Sequence, residues 1–228
     1  MATITQTQTF RPARRVLQSL LAEPERRALQ FLAARMPRWV NSDHLTLLGL
    51  GSMLGAGLAY WAARWEPLAL LLVCIFLALN WFGDSLDGTL ARFRNQQRPR
   101  YGFYVDHVVD ALGALFMLGG LALSGYMHPA IAIGLLVAYL LLASESYLAT
   151  YTIGEFRLTH FLFGPTELRV LLAIGNVYLL FKPMVHLGGR EFRLFDVGGA
   201  VGIAGMLAVF MLAALRNTVR LYREETRR

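Results

Sequence analysis

Six stretches of mainly apolar sequence set the limits on what this chain can become: about 45–63, 68–92, 102–124, 129–151, 165–181 and 197–215. A hydrocarbon core about 30 Å thick is crossed by roughly 20 helical residues. Inside it each backbone polar group must be satisfied within its own segment, so such stretches span as helices. The composition agrees. The 228 residues are 56% hydrophobic and 16% charged, whereas soluble domains carry about a quarter charged residues. The expected fold is all-α: a polytopic membrane protein of six transmembrane helices plus an N-terminal amphipathic helix. Ser42-Asp43 offers an N-cap for the first span. Glycines in spans one, three and six (Gly49, Gly51, Gly55 and Gly57; Gly113, Gly119 and Gly120; Gly198, Gly199, Gly202 and Gly205) suit close helix packing in lipid.

The amphipathic helix is expected from Pro24 to Met36. There Ala28, Leu29, Leu32, Ala33 and Met36 recur at helical spacing among Arg26, Arg27 and Arg35, with Phe31 at the edge of the apolar face. That pattern describes a helix lying in the membrane interface; an ordinary packed helix is the alternative. The division that follows is a cytoplasmic segment 1–41 holding this helix, a six-helix transmembrane domain 42–217, and a basic cytoplasmic tail 218–228.

The net charge of +7 comes almost wholly from arginine placed beside apolar segments, which fits anionic lipid headgroups rather than nucleic acid. With six spans, eighteen of the 22 basic residues fall on one side. Arg64, Lys182, Arg190 and Arg193 make up the other side. Positive charge favours the cytoplasmic face, so both termini are expected there. Residues 1–20 hold no apolar core of signal-peptide type, so no cleavage is expected. A single cysteine, Cys74, allows no internal disulfide.

Against these apolar runs lie four acids: Asp84 and Asp87 near the end of span two, Asp106 and Asp110 near the start of span three. A carboxylate at membrane depth is costly and is paired, metal-bound or part of a substrate path. At about 100° per residue the first pair lies ~60° apart around its helix and the second ~40° apart. Each pair therefore shares a face, and the topology brings both to similar depth below the cytoplasmic surface. Gly88 and Ala91 fall beside Asp84 and leave room for a ligand to approach. Carboxylate oxygens select hard cations, Mg²⁺ or Mn²⁺, and four carboxylates with two such ions are formally neutral. No Cys/His cluster points to zinc.

These residues resemble the signature of the CDP-alcohol phosphotransferase family of membrane enzymes: Asp-x2-Asp-Gly-x2-Ala-Arg, a gap of about eight or nine residues, then Gly-x3-Asp-x3-Asp. The chain supplies Asp84, Asp87, Gly88, Ala91 and Arg92, a gap of nine residues, then Gly102, Asp106 and Asp110. The resemblance implies a site for two divalent cations, Mg²⁺ or Mn²⁺, which hold the diphosphate of a CDP-linked donor. It implies Asp84, Asp87, Asp106 and Asp110 as metal ligands, with Asp110 also the catalytic general base. Asp84, Gly88, Ala91, Arg92 and Gly102 look like the nucleotide-binding surface. An alcohol attacks the phosphorus distal to cytidine and CMP leaves. The resemblance further implies that one of the two substrates is a lipid, that the active site faces the cytoplasm and that the protein is a homodimer.

Two donors stay open. Asp106-His107 and 150–157, followed by Thr166-Glu167, resemble aminoalcohol phosphotransferases, which use CDP-choline or CDP-ethanolamine. The short chain resembles microbial phosphatidyltransferases, which use CDP-diacylglycerol. Glu145, the other intramembrane acid, is a candidate acceptor contact or a partner for an arginine. Arg98, Arg100, Arg157 and Arg169 border the expected pocket; they read either as phosphate ligands or as cations meeting lipid headgroups. Glu167, third after Gly164, is placed to cap span five. His107 reads as packing or an outer contact.

Two rival functions fit a membrane protein with clustered acids. A Mg²⁺-dependent prenyltransferase also binds diphosphate, but its acidic motifs stand far apart, whereas 18 residues separate Asp87 from Asp106. A cation transporter would place its carboxylates nearer the midplane, on broken helices or repeats. Release of CMP separates the first, and cation flux without a CDP-alcohol the second.

Overall fold

The computed structural model describes residues 14–16, 21–157 and 164–226, with 14–16 and 155–157 described by their backbone alone. Helices dominate: α1 (Ala22–Arg35), α2 (Ser42–Ala62), α3 (Ala69–Phe93), α4 (Pro99–Leu123), α5 (Pro129–Ile153), α6 (Pro165–Leu179) and α7 (Leu194–Thr226). The bulk all-α expectation holds, and two small ribbons are added to it. β1 (Arg14–Val16) pairs in parallel with β2 (Glu155–Arg157), and β3 (Met184–Leu187) pairs antiparallel with β4 (Arg190–Arg193).

Five helices, α2 to α5 and α7, are long and apolar enough to cross a membrane, so the chain is a multi-pass membrane protein. The fifth expected span, 165–181, forms α6, but with 15 residues it reaches only about 22 Å, short of the hydrocarbon thickness. The sixth expected span lies within α7, which runs on for 33 residues to Thr226.

Local chemistry sets the helix ends. The cap of α2 is Asn41 rather than Ser42-Asp43: Asn41 Oδ1 accepts from His44 N (2.9 Å), and His44 Nδ1 accepts from Asn41 N (3.3 Å). Proline opens α4, α5 and α6, where the missing N–H has no intrahelical partner to lose. The β3–β4 hairpin turns through Gly188 and Gly189 at φ +57° and +78°. A two-residue turn that matches strand twist needs positive φ at both positions, which glycine alone adopts freely.

Two cores form. One joins α2, α3, α4 and α6 with the starts of α5 and α7 around Tyr60, Leu70, Val73, Leu121 and Leu179. The other sets Leu29 and Ala33 of α1 against Leu45, Leu86 and Leu90. The apolar face expected on α1 thus packs on the bundle, while Phe31 and Trp39 stay exposed. Hydrogen bonds from Arg26 and Arg27 hold the Glu23 carboxyl below its ordinary range.

Candidate active site

The start of α2, the end of α3 and the starts of α4 and α6 meet at one end of the bundle, and the four aspartates lie there. Asp84 and Asp87 occupy the last turns of α3, Asp106 and Asp110 the second and third turns of α4. All four are within charge–charge range: Asp87 feels Asp84 and Asp106, and Asp110 feels Asp84, Asp87 and Asp106. Asp110 is exposed and fronts the open space, here the cleft, at this junction.

Close helix contact makes this possible. A Cβ on Gly83 would lie 2.5 Å from the Leu45 carbonyl and 2.7 Å from Gly49 N. The backbones of α2 and α3 therefore touch beside Asp84, and neighbouring polar groups reach it. Asp87 Oδ2 accepts from Thr46 Oγ1 (2.7 Å), its Oδ1 accepts from Gly88 N, and Ser42 Oγ donates to the Asp87 carbonyl (2.9 Å). Asp84 Oδ2 accepts from Arg169 Nη2 of α6 (2.5 Å). Arg169 Nε donates to Asn80 Oδ1 (2.8 Å), and Asn80 Nδ2 donates to the Gly49 carbonyl (3.0 Å).

Gly88, Ala91 and Arg92 continue the α3 face past Asp87. A Cβ on Gly88 would lie 3.3 Å from Arg92 Nη1, so the guanidinium folds over that glycine, and it donates to Thr89 Oγ1 (3.0 Å). Gly102, in the first turn of α4, faces open space. On the far wall, Tyr139 and Tyr147 of α5 lie within electrostatic range of Asp106 and Asp110. The His107 ring stacks 4.1 Å from Phe103 and meets Tyr147 edge-on at 4.6 Å. Its Nδ1 lies 2.6 Å from the Phe103 carbonyl.

The other expected contacts are dispersed. Glu145 Oε1 accepts from Asn217 Nδ2 of α7 (2.6 Å). It lies about 160° around α5 from Tyr147, which places it in the α5–α7 contact rather than in the cleft. Arg98 pairs with Asp43 and lies over the Tyr101 ring at 4.3 Å. Arg100 is exposed, and the side chain of Arg157 lies outside the described residues. Arg169, read from sequence as a phosphate ligand or a cation meeting lipid headgroups, points inward to Asp84 and Asn80, with its side chain 16% exposed. Neither Asn80 nor Thr46 stands out in the sequence as a site residue, and Ser42 stands out only as part of a helix cap. The nearest to a signal is that Asn80 is a lone amide within an apolar run.

The residues from 39 to 216 match the family model of the CDP-alcohol phosphatidyltransferases. The chain belongs to this family. No curated relative matches the chain. Membership in the CDP-alcohol phosphatidyltransferase family supports an enzyme of phospholipid synthesis that transfers a substituted phosphate group from a CDP-alcohol.

The family implies divalent cations, and the donor chemistry of this site fits them: hard carboxylate oxygens gathered at one helix junction. Among the described residues, no three carboxylates, imidazoles or thiols converge as a ready ligand set. Asp84 accepts from Arg169 and Asp87 from Thr46, each through Oδ2, so a neighbouring side chain orients each carboxylate.

Proposed function

We propose that this chain is a divalent-cation-dependent CDP-alcohol phosphotransferase whose chemistry takes place among Asp84, Asp87, Asp106 and Asp110. The observation that carries this reading is the placement of the four acids on the adjoining ends of α3 and α4, within charge–charge range, inside the residues matched to the family. Two Mg²⁺ or Mn²⁺ ions held by these carboxylates would supply the positive charge that a diphosphate and an ionising hydroxyl both need.

The chain's own residues supply the rest. Gly88, Ala91 and Arg92 along α3, with Gly102 in the first turn of α4, receive the cytidine nucleotide, and the Arg92 side chain over Gly88 is its cationic contact. Asp110, open to the cleft, takes the proton of the acceptor hydroxyl. The hydroxyl oxygen bonds to the phosphorus distal to cytidine, the bond from that phosphorus to the bridging oxygen breaks, and CMP leaves with the bridging oxygen. Tyr139, Tyr147 and His107 wall the acceptor side.

We read α6 as a sixth pass. Its first turns meet α3 beside Asp84, and its last turns lead to the hairpin that precedes α7. Six passes with eighteen of 22 basic residues on one side put both termini and the acidic site at the cytoplasmic face. The test is a substrate panel on purified protein, with CMP as the readout and Mg²⁺ or Mn²⁺ present. CDP-diacylglycerol is compared with CDP-choline and CDP-ethanolamine, each with matching acceptors. CMP release from one donor class supports the reading and assigns the donor. Release from none refutes it.

A further inference from the structure

The surface helix α1 lies ahead of the residues matched to the family, yet its polar side chains reach into the bundle next to the acidic site. Glu25 Oε1 accepts from Trp81 Nε1 of α3 (2.8 Å) and from Thr166 Oγ1 of α6 (2.7 Å). One carboxylate therefore ties two helices that sequence places 85 residues apart. Trp81 precedes Asp84 by three residues and Thr166 precedes Arg169 by three, one helical turn in each case. The next rung of the same ladder is the Arg169–Asp84 ion pair, 16% and 26% exposed. Beside it the Arg169–Asn80–Gly49 relay fixes the guanidinium.

The anchorage of α1 is built at both ends. Glu167 Oε1 accepts from Leu21 N (2.9 Å) just before α1, and Glu167 Oε2 accepts from Gly164 N (3.0 Å). At the other end Arg94 donates to the carbonyls of Met36 (2.9 Å), Pro37 (2.8 Å) and Val40. A helix held only by its apolar stripe could slide or roll. One held by charge-assisted bonds at each end has a fixed register.

We propose that Glu25 is a positioning residue that braces α3 against α6, holding Arg169 and Asp84 in register so that Asp84 presents a fixed carboxylate edge to the catalytic cleft. The inference rests on the functional reading above for what Asp84 does, but not for the brace itself. Substituting Glu25 by alanine leaves the Trp81 and Thr166 donors unpaired and frees α6 to shift. Misplacement by about 1 Å costs up to ~100-fold in rate. Glutamine keeps an acceptor oxygen at the same reach.

The experiment compares wild type, Glu25→Ala, Glu25→Gln, Arg169→Ala and the Glu25→Ala/Arg169→Ala double variant in two readouts. The first is kcat and KM for CMP release. The second is hydrogen exchange over 80–86 and 164–170, which needs no turnover. The brace predicts a kcat about tenfold or more lower in Glu25→Ala, with KM for the acceptor within about twofold. It predicts recovery of most of that loss in Glu25→Gln. The double variant should be little worse than Arg169→Ala alone, because residues acting through one element are not additive. Faster exchange in both segments should accompany the alanine change. Unchanged exchange in Glu25→Ala, or additive losses in the double variant, would overturn the proposal. If wild type releases no CMP the functional reading falls, and the exchange arm still decides the brace.

Discussion

The two ends of the bundle are held together by different chemistry. At the acidic end polar, long-range contacts are added to the apolar packing of Leu29, Leu45 and Leu86: Glu25 to Trp81 and Thr166, Thr46 to Asp87, Arg169 to Asp84, Arg94 to three carbonyls. Toward the hairpin end α2 and α4 meet without side chains between them. A Cβ on Gly57 would run into the Phe116 carbonyl, and one on Gly120 into the Gly57 carbonyl. Around that crossing Tyr60, Leu70, Val73 and Leu121 are buried. The lesson is a division of labour. Small residues fix how closely the helices pack, and polar bonds fix the register and rotation that a reaction site needs.

That contrast can be broken at either end. The largest effect is expected from Asp110→Asn: CMP release falls by about 10²–10⁴, the scale of a lost general base, while elution and thermal melting stay as in wild type. Near-normal turnover in this variant would remove Asp110 from its role. Next comes Gly57→Val. It pushes a side chain into backbone that has nowhere to yield, and overpacking costs about 1–3 kcal/mol. Melting in detergent should drop by several degrees, with turnover per folded molecule nearly kept. An unchanged melting temperature would mean the crossing is looser than described.

Arg94→Lys is expected to act less strongly. Lysine keeps the charge but lacks the planar fork that reaches three carbonyls, so part of the hydrogen bonding is lost at about 1 kcal/mol per bond. A lower melting temperature, with α1 more open to protease, is the readout. The smallest effect is expected from Arg220→Ala, near the end of α7. Its ion pair with Glu224 is solvent-exposed, and such pairs contribute little. Turnover should stay within about twofold, and a larger loss would extend the functional region to the α7 end.

Much of this was legible in sequence because the signals are local. Hydrophobic runs gave the long helices, and the spacing of Asp84, Asp87, Asp106 and Asp110 placed them on shared faces. The misses are also physical. Apolar composition continues to Phe181, but α6 stops at Leu179, since Pro183 cannot continue a helix and the chain turns into the hairpin. The Gly188-Gly189 pair is a local turn signal for the hairpin. Asn41 took the cap from Ser42-Asp43 because the His44 ring completes a reciprocal pair. Arg169 and Glu145 show what periodicity cannot reach. Each was an ambiguous charge until its partner, 85 and 72 residues away, was in place.

If acids from two adjoining helices gather divalent cations for transfer from a CDP-linked donor, turnover must follow the free ion. The direct measurement is CMP release by the purified protein as free Mg²⁺ or Mn²⁺ is titrated from thorough chelation upward. No release is expected under chelation, with full recovery as the ion is returned. Undiminished release with every divalent ion removed would contradict it.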